Sequence, residues 1–197
     1  MRYIHKNRDM IDSCFILLII GAATGIVCTL NLNIQQIEQY SSIFVSTLVI
    51  PDDVVQYFIQ QTLINGFLCS VIAFLGFSVL GIPLIQLAVF IKGFQTGFQA
   101  SMFLLTYKTQ GILGILMTLV PQILFDLAAV IVISIASIKL SGRLISMIHE
   151  SNVQYTFMNL LSHLMSDLLI SLSFVLISSF IKSTLGLILV RWFTQIV

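Results

Sequence analysis

Two charged residues stand inside apolar runs, and they are the first places to look for chemistry. Lys92 lies in FIKGFQTGF (Phe90–Phe98) and Asp126 in ILFDLAAV. A charge at the middle of a bilayer costs on the order of 3 kcal/mol or more, so each must find a partner or a use. The two runs read as antiparallel neighbours joined by a short loop, which places both residues at similar depth facing the bundle interior. Lys92 and Asp126 therefore have two readings: a structural pair that sets helix register, or a buried polar site on an ion path. Asp167 near the start of the last apolar run suits a helix amino terminus. Lys182 reads as a lysine that snorkels outward along its stem.

Other residues mark packing and bending. Gly21 and Gly25 form a GxxxG, and Gly93 and Gly97 form a second one directly after Lys92. Small residues at that spacing let helix backbones approach closely. The spacing leaves open whether the facing helix belongs to the same chain or to a second copy in a homo-oligomer. Gly81 and Pro83 in LGIP are expected to break a long apolar run. Pro121 is expected to bend another, with Gln122 beside it to satisfy the freed carbonyl. Cys14, Cys28 and Cys69 sit in apolar runs without CxxC or histidine spacing, so they read as packing residues rather than metal ligands. GxSxG, P-loop, HExxH and dinucleotide fingerprints are missing from the sequence. His149 and Glu150 lack a second histidine, and the consecutive Asp52 and Asp53 point to different sides. No catalytic centre, cofactor or metal is expected.

The elements that must position these residues follow from composition. Of 197 residues 58% are hydrophobic and 9% charged, with a mean hydropathy of +1.06. Soluble domains carry about 25% charge, so the solvent for most of this chain is lipid. A net charge of +1 offers no basic surface to nucleic acid. Apolar runs predict five spans, about 14–32, 63–80, 83–105, 111–138 and 164–190. The first is too long for a signal-peptide core and is followed by no small-x-small site, so it is read as retained. The 43 apolar residues Leu63–Leu105 would make a helix of about 65 Å, twice the membrane, and must break at Gly81–Pro83. Arg2, Lys6, Arg8, Lys139 and Arg143 against Lys108 and Arg191 put the amino terminus inside and the carboxyl terminus outside. The expected fold is an all-α polytopic membrane helix bundle, one integral domain over 1–197. Its acidic segment 33–61 faces outward, its segment 139–163 is cytoplasmic, and short amphipathic helices lie on the surface.

The landmarks LGIP (Leu80–Pro83), FIKGFQTGF (Phe90–Phe98), QGILG (Gln110–Gly114) and VPQ (Val120–Gln122), in this order and spacing, resemble the stage II sporulation protein M family. NLN (Asn31–Asn33) after a basic amino terminus and a first span with small residues agrees more loosely. Broader relatives often carry a histidine and a glutamate where this chain has Gln122 and Asp126, so no proton-handling role is carried over. The resemblance implies a multi-pass cell-membrane protein of endospore formers. It implies a non-enzymatic anchor for the peptidoglycan-degrading stage II sporulation proteins D and P, acting as the mother-cell membrane engulfs the forespore. The residues themselves leave a second reading open, a permease subunit moving a small solute, lipid or ion through Lys92 and Asp126.

Overall fold

The computed structural model describes residues 8–40, 54–78, 80–108, 110–149 and 157–186. It is helical nearly throughout, as lipid demands: hydrocarbon offers backbone N–H and C=O groups no partners, so each segment must satisfy its own. The helices are α1 (Arg8–Leu30), α2 (Val54–Leu75), α3 (Gly81–Tyr107), α4 (Gln110–Gly114), α5 (Val120–His149) and α6 (Phe157–Ile181). A π-helical turn, Ile115–Leu119, joins α4 to α5, and another, Lys182–Gly186, continues α6. A short helical stretch covers 34–40. It opens with half of a capping box: the Asn33 backbone N–H donates to Gln36 Oε1 at 3.0 Å, which satisfies one donor at the helix start.

The break between the second and third expected spans falls earlier than Gly81–Pro83. The chain turns at Gly76–Leu80, where Ser78 N–H donates to Leu75 O and Gly81 N–H to Ser78 O. Ser141 on α5 closes the turn by donating to Ser78 O at 2.7 Å. Pro83 is then the third residue of α3, in the first turn, where its missing N–H has no intrahelical role. Gly81 is still required, because a Cβ there would run into the Leu75 carbonyl. Segments expected to lie outside the spans are partly helical extensions. α2 begins at Val54 within 33–61, and α5 runs on to His149 within 139–163; residues 41–53 and 150–156 lie outside the described residues.

α1 and α3 run parallel, and their two GxxxG motifs meet. A Cβ on Gly21 or Gly25 would strike α3 backbone at Phe90–Phe98, and one on Gly93 or Gly97 would strike α1 backbone at Leu18 and Ala22. The facing helix is thus in the same chain. α5 and α6 pack antiparallel through serines: Ser171 Oγ donates to Ala129 O at 3.0 Å and Ser178 Oγ to Gln122 O at 3.2 Å. Asn65 and Lys92 stand nearly equidistant from the 76–80 turn and meet, so α2 and α3 are antiparallel. One core draws on five helices, with Cys14 and Leu18 from α1, Ile72 from α2, Ile85 from α3, Ile133 from α5 and Val175 from α6.

The outer surface is apolar; Phe74 is 76% exposed and Ile19 66%. Soluble proteins rarely leave such area to water. Four helical segments, Arg8–Leu30, Val54–Leu75, Val120–Ser146 and Ser162–Thr184, are long and apolar enough to cross a membrane. α3, with 27 residues, has the length, but Gln86, Lys92, Gln95 and Gln99 dilute its apolarity. The close α1–α3 crossing makes a test. Gly97→Ala, whose Cβ would lie 2.7 Å from Ala22 backbone atoms, should cost about 1–3 kcal/mol of stability. Gly142→Ala, with nothing within 4 Å, should be neutral or gain about 0.5–1 kcal/mol. Detergent thermal melts followed by size-exclusion chromatography separate the two.

Candidate functional site: a buried ion pair and its polar stripe

Each charge is delivered by a different helix. Lys92 sits halfway along α3, directly before Gly93. The crossing with α1 pins that stretch of α3 and turns the opposite face of the helix inward. Asp126 sits two turns into α5, past Pro121. The pyrrolidine ring of Pro121 would clash with the carbonyl four residues back in a regular helix. The chain avoids this with the wider π turn, in which Val120 N–H donates to Ile115 O. The expected bend at Pro121 is therefore a π-helical turn just before it. The nearby Gln122 contributes its own backbone carbonyl as the acceptor for Ser178.

Lys92 Nζ and Asp126 Oδ2 lie 3.4 Å apart, with the residues 7% and 5% exposed. Asn65 on α2 completes a three-helix cluster. Its Nδ2 donates to Asp126 Oδ1 at 3.4 Å and Oδ2 at 3.5 Å, and Lys92 Nζ donates to its Oδ1 at 3.2 Å. An amide suits this position because it gives donors to the carboxylate and an acceptor to the ammonium. The 3.4 Å separation exceeds the roughly 2.8 Å of a direct charge-assisted bond, so the amide bridge shares the work of neutralisation.

Asn65 carries no charge, so the placement of charges alone does not single it out. The available signal was its spacing: Tyr57, Gln61 and Asn65 repeat every four residues on α2, on a half-buried face beside the exposed Gln56 and Gln60. Lys182 also belongs here. It does not snorkel outward; its ammonium donates to Gln61 Oε1 at 2.7 Å and lies 5.8 Å from the centroid of the Tyr57 ring. Asp167 is not at a helix start either. α6 begins at Phe157, which leaves Asp167 three turns in. Gly21, Gly25, Gly93 and Gly97 line the α1–α3 crossing and do not enter the cluster. Cys14 and Cys69 are buried and Cys28 exposed, all as free thiols. Among the described residues no three His, Cys, Asp or Glu side chains are grouped to hold a metal.

The arrangement defines a class: a helical membrane bundle of parallel and antiparallel helices, cross-braced by glycine contacts and by an ion pair in its interior. Within that class the chain belongs to the stage II sporulation protein M family, whose pattern it matches over residues 14–186. It is accordingly a sporulation-related membrane protein. Comparison with curated proteins and with solved structures returned no match.

The pair has a measurable energetic signature. Asp126→Ala alone leaves a buried ammonium without its counter-charge and should cost about 3–5 kcal/mol, whereas Lys92→Met with Asp126→Leu should recover most of that loss. A double-mutant cycle on detergent unfolding measures the coupling. Additive losses would mean that the two side chains do not neutralise each other.

Proposed function

We propose that this protein is a non-enzymatic scaffold that anchors a peptidoglycan-degrading complex in the membrane that engulfs the forespore. The observation that carries the reading is the family match over 14–186. Two features of the bundle support it. Its helices are locked by backbone-level contacts at Gly21, Gly25, Gly93 and Gly97, which suits a rigid platform. Its α1 is followed by a short helical stretch, 34–40, whose Ile34 is 78% exposed and whose Tyr40 packs edge-on against Phe98 at 5.9 Å. That stretch is held to the bundle and still offers an apolar side chain to a partner.

In this reading the chain crosses the membrane five times. α3 crosses too, shielded by α1 along its glycine face, because the parallel α1 and α3 and the antiparallel α2 require alternate crossings. The amino terminus lies inside and the carboxyl terminus outside, by the lysine and arginine count. The stretch 34–40 then faces outward, toward the wall and toward the hydrolases D and P of the same stage. The second reading, a permease subunit, draws on the buried Lys92–Asp126 pair, since intramembrane charges commonly mark solute or ion paths.

Deletion in the native host under sporulation conditions tests the scaffold reading: engulfment should stall with septal peptidoglycan retained. A photo-reactive residue at Ile34 or Gln35 should capture the peptidoglycan hydrolases in sporulating cells. Capture only from cytoplasmic positions such as Ser146 would overturn the outward platform, and normal engulfment in the deletion strain would overturn the scaffold role.

A further inference from the structure

The stripe Tyr57, Gln61 and Asn65 does more than meet the ion pair. It begins in the first turn of α2 and reaches the Lys92–Asp126 pair in steps of one helical turn, about 5–6 Å between successive Cβ atoms. Each rung has a polar partner: the Lys182 ammonium for Tyr57 and Gln61, and Asp126 and Lys92 for Asn65. The three stripe residues are half-buried, while Ile59, Leu63, Ile64 and Phe67 on the rest of α2 are exposed to lipid. One turn past Asn65 the character changes. Cys69 is 1% exposed and Ile72 fully buried, and both belong to the apolar core. The polar stripe thus has one open end and one dry end.

One further observation bears on water along it. Six buried hydroxyls lack a protein partner among the described residues; those of Thr62, next to Gln61, and Ser179, one turn before Lys182, lie near the stripe in sequence, and those of Ser101, Thr106, Ser134 and Ser137 lie elsewhere in the bundle. Buried hydroxyls are satisfied in nearly all proteins, by ordered water where protein groups are lacking. Near the outer rungs the two π-helical turns, Ile115–Leu119 and Lys182–Gly186, pack together, and the second of them begins with Lys182.

We infer that α2, α5 and α6 enclose a one-sided hydrated inlet, which admits water and protons from the face where α2 begins to the Lys92–Asp126 pair and closes at Cys69. The inference is independent of the scaffold reading and of any solute transport. Its test is thiol accessibility in intact cells, with Cys14 and Cys28 replaced by alanine and the native Cys69 kept as the marker of the dry end. Because a thiol reacts as its thiolate, which apolar surroundings suppress, Gln61→Cys should react with a charged, membrane-impermeant methanethiosulfonate roughly tenfold or more faster than the lipid-facing Leu63→Cys. It should do so only from the face at which Asn31→Cys labels, and Cys69 should stay unmodified. Thr62→Cys serves if Gln61→Cys does not fold. Equal rates at positions 61 and 63, or labelling of Cys69 at the rate of Gln61→Cys, would overturn the inlet.

Discussion

Hydrocarbon cannot solvate an ammonium or a carboxylate, so Lys92 and Asp126 have only their neighbours. Much of the bundle is arranged around that requirement. The two charges arrive on α3 and α5, and Asn65 on α2 bridges them with groups that match both. Three helices must therefore hold one depth and one rotation, or a charge is left bare in lipid at a cost of several kcal/mol. A lysine and an aspartate thereby act as a register device for helices that present almost featureless apolar surfaces to one another.

The hydrophobic effect cannot hold such helices together, because lipid tails are as apolar as leucine side chains. Close contact and internal hydrogen bonds take its place. At the α1–α3 crossing the missing glycine side chains bring backbone onto backbone, over two turns of each helix. At the α5–α6 seam the donors are serines seven residues apart, Ser171 and Ser178, and the acceptors are carbonyls seven residues apart on α5. The antiparallel direction follows from that pairing. Each of these two seams lies on a helix that supplies one of the charges of the Lys92–Asp126 pair. Rigidity of the frame and placement of the charges are one problem solved by the same helices.

The frame also explains why the polar stripe has a direction. α2 meets α5 and α6 along its inner face, while the rest of it faces lipid. Polar residues on that face are tolerated only where another helix or water can reach them. Above Asn65 they meet Lys182, and below it the glycine turn at Gly76 draws α2 against Ser137 and the apolar core closes. The stripe therefore runs from the end of the bundle where α2 begins to the apolar core at Cys69 and Ile72.

Composition and hydropathy determined that this chain is a helical membrane bundle, because lipid leaves the backbone no other option, and the few charges picked out Lys92 and Asp126 as residues in need of partners. The GxxxG spacing marked the faces that approach closely. What the linear pattern did not contain was who meets whom. Asn65 and Gln61 look like ordinary polar residues until α2 is set against α5 and α6. Lys182 looks free to reach outward until the π turn aims it at Gln61. The helix break moved from Pro83 to Gly76–Leu80 because a proline is harmless in the first turn of a helix, while Gly76 and Gly81 are needed where backbones touch. Residue types decided the solvent and the elements; only the packing of one helix on another decided the partners, since a buried polar group is satisfied by whatever the fold brings within hydrogen-bond reach.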